Sequence, residues 1–465
     1  MSYDWQQAVT EHRDELLADL KTMLRIKSVR DESQATPEAP LGPGPQQALN
    51  QFLAFGDRDG FKTQNVDGMA GHIEFGTGDE TLGILGHVDV MPAGEGWSHA
   101  PFEPVIEDGK IYARGAMDDK GPSMAAYYGL KLVKESELPV TKRVRFILGT
   151  DEESSWRGMK YYFAHMPAPD FGFSPDAEFP LINGEKGNVS LELKFGGTNG
   201  GSVTLQRFTA GLRENMIPGN AEATLSGAHL EEIEQAFNQF IKMAPVSGEA
   251  TRTADSLTLA VTGKAAHGME PREGINAGTY LATFLKDYDF GGDAAHFITF
   301  IADYLHEASR LEKFAAAYTD PVMGDLTMNA GLLNFTADQA GAITLNFRYP
   351  QGIDPATIRA AIDRVTSQWN VAISVGEAME PHYVAPDDPL VTTLLDVYHR
   401  QTGTNAPAEV VGGGTYGRLM KRGVAFGALF PDCPNMMHQV DEYMPVEDIM
   451  KAAAIYAESI YELIK

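Results

Sequence analysis

The chain has 465 residues, with 37 Lys and Arg against 64 Asp and Glu, a formal net charge of −27 with His neutral. A hydrophobic fraction of 43% suffices for a sizeable core and excludes general disorder, and the acidic balance argues against nucleic acid or an anionic membrane as partner, because phosphate contacts need clustered Lys and Arg. The single cysteine, Cys433, excludes an intrachain disulfide and fits a reducing compartment.

The N-terminal Met1–Trp5 lacks a basic region followed by an apolar run, so no secretory leader is expected. No apolar stretch approaches the ~20 residues of a membrane span, and the expected location is cytoplasmic. Asp4 to Lys27 reads as one helix, with Asp4 as its cap and Leu16, Leu17, Leu20, Met23 and Leu24 as its apolar stripe. Residues 36–45, with four prolines and two glycines, read as a loop. Short apolar runs then alternate with helical patterns: a buried strand at 81–86, a helix at 123–135, a strand at 143–148 and a short strand at 170–173. That order predicts an α/β domain, a mostly parallel sheet covered by helices.

From Val189 the apolar residues alternate strictly, through Leu191, Leu193 and Phe195. Leu257, Leu259 and Val261 repeat the pattern, as do Ile343, Leu345, Phe347 and Tyr349. Period two marks strands with one buried face, typical of antiparallel sheets, and helices are predicted at about 229–243, 275–288 and 355–369. Buried-strand runs return at 409–411 and 424–430, and a helix begins near Val446. The expected architecture is a discontinuous catalytic domain, 1–185 plus 382–465, with an α+β lid domain inserted at 186–381.

Ligands of open α/β sheets bind beyond the carboxyl ends of the strands. There the sequence places His87 and Asp89 after the first strand, Asp151-Glu152-Glu153 after the second, Asp176 after the third and His438 after the run ending at Phe430; Asp118-Asp119 lies in a strand-to-helix loop. Singly, each has an ordinary explanation as a surface group or turn. Together they would gather carboxylates at one sheet edge, which is costly without a cation. Imidazole and carboxylate donors suit zinc, with cobalt or manganese as substitutes.

The pieces GHVDV (86–90), GAMDDKG (115–121), DEE (151–153), SPDAE (174–178) and His438 resemble the di-zinc peptidases that include carboxypeptidase G and the aminoacylases, nearest to the bacterial PepV-type dipeptidases. The resemblance extends over essentially the whole chain, including GEGW (94–97), AAHG (265–268) and GGGTYGR (412–418). It implies two Zn2+ ions bridged by Asp118, with His87 and Asp176 completing one site and Glu153 and His438 the other. Asp89 would orient His87, and Glu152 would carry the proton from the attacking water to the leaving amine.

The resemblance further implies that His267, after the strand 257–262, donates to the oxyanion if the inserted domain acts as a lid. Arg348, on the face of Thr344 and Asn346 opposite the apolar residues, would clamp a substrate carboxylate. Asn215 would contact the substrate near the oxyanion. The glycine loop 412–414 matches neither nucleotide-binding glycine motif, and the Gly414 N–H is expected to hold a carboxylate. The expected substrates are unblocked dipeptides, small molecules rather than nucleic acid or membrane. A deacylase of N-acyl or succinyl amino acids, or a non-catalytic metal-binding protein, would use the same residues. The large lid predicts a monomer with His267 acting in cis.

Overall fold

The structure is a computed structural model describing residues 3–465. The first two residues of the Met1–Trp5 stretch lie outside the described residues. The chain forms two compact units: one holds the residues up to Gly184, Tyr383–Glu409 and Gly414–Lys465, the other Glu185–His382 and Val410–Gly413.

The first unit is built on a mixed sheet. Seven of its nine strands run in the order Lys62–Val66, Ala70–Gly76, Arg143–Gly149, Thr81–His87, Phe171–Ser174, Gly423–Ala425, Ile182–Glu185. The four from Arg143–Gly149 to Gly423–Ala425 are mutually parallel, as expected from their near-continuous apolar runs. The flanks are antiparallel. Both faces of Thr81–His87 are buried: Ile84 joins an apolar core with helices Lys120–Glu135, Pro43–Arg58 and Val446–Ile464, and Leu85 on the other face packs in a second cluster with Met159 and Tyr162. Gly129 lets two of these helices touch: a Cβ there would stand 2.9 Å from both Ala457 N and Tyr456 Cβ.

Some boundaries differ from the sequence reading. The N-terminal helix is two, Trp5–Glu11 and Arg13–Leu24, meeting at His12. There the His12 ring bonds the Ala8 carbonyl while its other nitrogen meets Glu135, and the backbone leaves the helical region. Asp4 does cap the first, accepting the Gln7 N–H at 2.9 Å. The loop at 36–45 ends early, because Pro43 opens helix Pro43–Arg58 in the first-turn position that tolerates proline. The run 424–430 is split: Gly423–Ala425 joins the main sheet and Ala428–Leu429 pairs with Ala177–Glu178.

His72, buried on strand Ala70–Gly76, lies 3.0 Å from the Tyr162 hydroxyl. Burial, helped by Arg145, pushes its pKa from 6.5 down to about 4. The unfolded chain therefore binds the extra proton first, and this site's stabilisation is lost as pH falls from 6.5 towards 4. His72→Gln is expected to flatten the loss of stability across that window in chemical denaturation series; an unchanged slope contradicts the assignment.

The second unit holds an eight-stranded sheet in the order Ser247–Arg252, Leu257–Thr262, Asn220–Gly227, Val203–Ala210, Thr327–Thr336, Ala340–Tyr349, Gly187–Phe195, Ala372–Val375. Every neighbouring pair is antiparallel. The alternating Val189, Leu191, Leu193 and Phe195 face a core shared with helices Ala277–Leu285 and Gly292–Phe300. Asn276 and Asp354 cap helices Ala277–Leu285 and Pro355–Thr366 through the Thr279 and Thr357 N–H groups. Among the described residues no helix is long and apolar enough to cross a membrane.

Candidate metal centre

The parallel strands deliver the predicted groups to one edge of the first unit's sheet. His87 ends its strand; Glu152 and Glu153 follow Arg143–Gly149; Asp176 follows Phe171–Ser174. Asp118 arrives from the loop that opens helix Lys120–Glu135. That loop closes on Gly121, where a Cβ would lie 2.0 Å from the Ala116 carbonyl oxygen. His438 comes from a long loop after Ala428–Leu429, with its backbone in the left-handed region at φ 65°.

The two oxygens of Asp118 address different imidazoles. Oδ1 lies 3.0 Å from His87 Nε2 and Oδ2 lies 2.8 Å from His438 Nε2. Around them, His87 Nε2 is 3.5 Å from Asp176 Oδ2, and His438 Nε2 is 3.0 Å from Glu153 Oε2. A carboxylate oxygen of Glu152 stands within 4.8 Å of donor atoms of His87 and Asp176. Donors of a tetrahedral zinc, each roughly 2.0–2.1 Å from the ion, would be about 3.3 Å apart. The observed 2.8–3.5 Å spread brackets that spacing, so the residues fit a divalent cation in both position and chemistry.

The electrostatics point the same way. Burial raises the pKa of Asp176 and pushes Glu153 up to about 7, with Asp118 adding repulsion in both cases. Burial also pushes Glu152 well above the usual carboxylate range; its neighbours Asp176, Glu153 and Asp118 add to this against the opposing charge of His87. The Asp118 and Glu153 carboxylates hold the His438 imidazolium up to about 11. For His87, burial opposes the charged ring, but bonds to Asp118, Asp176 and Asp89 outweigh it and raise the pKa. Gathered this closely, the carboxylates repel one another unless positive charge lies among them, which a divalent cation would supply.

Asp89 occupies a different place from a simple ring anchor. His87 Nδ1 is 3.0 Å from the Asp89 carbonyl oxygen and 3.5 Å from its carboxylate. The carboxylate oxygens accept the N–H groups of Glu152 and Glu153 at 3.1 and 3.2 Å. Asp89 thus ties the His87 strand to the turn bearing both glutamates.

The remaining predicted residues, except Gly414, gather at one end of the second unit's sheet. His267 is exposed, and its Nδ1 accepts the Met269 N–H at 3.2 Å, which assigns the ring proton to Nε2. Asn215 is half-buried and its carbonyl accepts the Gly268 N–H at 2.7 Å. The Arg348 side chain is buried, because both faces of that strand end are covered. Its Nη1 donates to the Gly412 carbonyl at 2.9 Å. Gly414 lies in the first unit, before a single 3-10 turn, Tyr416–Leu419, capped by Thr415, so the glycine run does not open a long helix.

The model of Peptidase family M20/M25/M40 matches residues 83–462. The chain belongs to peptidase family M20/M25/M40. It is similar to a Beta-Ala-Xaa dipeptidase of Lactobacillus delbrueckii subsp. lactis, 42% identical over 100% of this chain and 99% of that protein. It is also 42% identical to the Bacillus subtilis protein YtjP, whose name carries a provisional dipeptidase assignment, over 99% of this chain and 100% of that one. Among solved structures, human carnosine dipeptidase 1 shares the fold, with a TM-score of 0.56 at 15% identity over 99% and 98% of the two chains.

Several supporting groups, in either unit, carry no motif role of their own. Asp119, fully buried, accepts the His87 N–H at 3.0 Å and the Ser123 hydroxyl at 2.6 Å. Lys120 donates to the Met23 and Ile26 carbonyls, and burial pushes its pKa down to about 7. Asp151, also fully buried, pairs with Arg30 at 2.7 Å and accepts the Arg157 N–H, bracing the glutamate turn. Asn329 Nδ2 holds the Asn215 turn through the carbonyls of Glu214 and Met216, each at 2.9 Å. Asp119, Lys120 and Asp151 were visible as motif neighbours; Asn329 carried no sequence signal.

Proposed function

We propose that this chain is a two-metal dipeptidase that cleaves the peptide bond of unblocked dipeptides. The observation that carries the reading is Asp118, each of whose oxygens faces a different imidazole. On this reading Asp118 would be shared by two Zn2+ sites, with His87 and Asp176 completing one and Glu153 and His438 the other; Co2+ or Mn2+ would substitute. The ions supply Lewis-acid polarisation of the scissile carbonyl and acidify water. Glu152 takes the proton from the attacking water and delivers it to the leaving amine, a role suited to its raised pKa. Asp89 holds the His87 ring and the glutamate turn in register.

His267, whose Nδ1 accepts the Met269 N–H, donates to the oxyanion through Nε2. Arg348 binds the substrate's terminal carboxylate, aided by the Gly414 N–H, and Asn215 contacts the substrate near the oxyanion. The catalytic domain is 1–185 plus 382–465 and the lid 186–381. The enzyme works as a cytoplasmic monomer. Similarity to a protein named Beta-Ala-Xaa dipeptidase supports the dipeptide substrate class. Purified, zinc-loaded protein is expected to hydrolyse Ala-Ala and to leave N-acetyl-Ala and tetra-alanine essentially intact. Release of acetate from N-acetyl-Ala without activity on Ala-Ala would replace the substrate class.

A further inference from the structure

Glu442 is fully buried four residues after His438, and it is no part of the donor set. Its Oε1 accepts the N–H groups of Gly115, Met117 and Asp118 at 3.1, 2.8 and 3.1 Å. Its Oε2 meets Arg114 Nη1 at 2.6 Å. The Arg114 side chain is 2% exposed, and its Nη2 donates to the His438 carbonyl at 3.3 Å. Below the pair, strand Tyr443–Pro445 pairs with Lys110–Tyr112, and the Ala113 N–H donates to the Glu442 carbonyl at 3.1 Å.

Two segments far apart in sequence are thus fastened together. One carries Asp118; the other carries His438. A buried carboxylate is costly unless paired and hydrogen-bonded. Glu442 has both compensations, and the bonds of its carboxylate go to the Asp118 loop or to Arg114. The sheet pairing alone would already join the two segments. The additional bonds fix what the sheet does not: the backbone of Asp118 itself and the carbonyl of His438 itself.

We propose that Glu442 and Arg114 are positioning residues that preset the Asp118 and His438 ligands for metal, acting through the backbone of both. This inference rests on the two-metal reading. A purely structural pair would support folding equally well but leave the affinity of the folded protein for metal unchanged.

The test uses metal-stripped full-length protein and Zn2+ competition against a chromophoric chelator, with melting temperature and circular dichroism recorded in parallel. Glu442→Gln keeps the size of the side chain but loses the charge and puts an amide against N–H donors. Arg114→Lys keeps the charge but loses the fork that reaches both Glu442 and His438. Arg145→Lys, at the Glu74 pair on the separate main sheet of the first unit, is the control for general destabilisation. Both clamp variants are expected to retain the native circular dichroism and to raise at least one Zn2+ dissociation constant about 10–100-fold, with the control unchanged. Native affinity in both clamp variants, or an equal loss in the control, overturns the proposal. If Glu442→Gln does not fold, Arg114→Lys decides alone. Failure of the native protein to bind Zn2+ would instead overturn the two-metal reading.

Discussion

Glu152→Gln is expected to lower kcat for Ala-Ala by about 10²–10⁴-fold, the usual worth of a positioned general base, while Zn2+ content stays at the native level. The amide keeps the shape of the side chain and removes only its ability to take a proton. The local geometry favours this separation of roles. The Glu152 backbone N–H is held by Asp89, so the substitution leaves the turn and the neighbouring Glu153 in place. Burial and the surrounding carboxylates push the Glu152 pKa well above the usual carboxylate range, which favours a group that holds a proton as well as accepting one. Steady-state kinetics and metal analysis on the same preparation check this. A fully metallated variant with native kcat would show that the proton moves through another group, and loss of metal would make Glu152 a ligand.

Asp118→Ala has the second large effect. It is expected to weaken both Zn2+ ions together, each by more than the roughly 10–100-fold typical of losing an outer-shell partner. Asp176→Ala and Glu153→Ala are each expected to weaken mainly one ion. The reason is geometric: one oxygen of Asp118 lies 3.0 Å from His87 and the other 2.8 Å from His438, whereas Asp176 and Glu153 each meet only one imidazole of the pair. Isothermal titration of the metal-stripped variants distinguishes the patterns. Loss of a single ion in Asp118→Ala would remove its bridging role.

The sequence was most legible where one physical constraint dominates. Strand Thr81–His87 is buried on both faces and reads as an unbroken apolar run; Gly187–Phe195 is buried on one and alternates. The donors His87 and Asp176 lie directly at strand ends, so the rule of the carboxyl edge located them. Strands Lys62–Val66 and Ser247–Arg252 were not readable, because both lie at sheet edges and are mostly exposed. At the break, His12 meets Glu135, far along the chain. The burial of Arg348 depends on what covers the end of its strand, which alternation cannot report.

The supporting groups were hidden for a related reason. Glu442 and Asn329 act through backbone amides and carbonyls of distant segments. Such bonds constrain no side-chain type at the other end, so no paired motif marks them. Asp119 is the intermediate case: its position beside Asp118 drew attention, but its bond to the His87 N–H required the folded chain.

The most direct measurement is a titration of Zn2+ into metal-stripped protein, followed by the rate of Ala-Ala hydrolysis. The two-metal account predicts no hydrolysis without metal and a rate that rises to a plateau at two equivalents per chain. Full activity at one equivalent, or hydrolysis that persists after stripping, would contradict it.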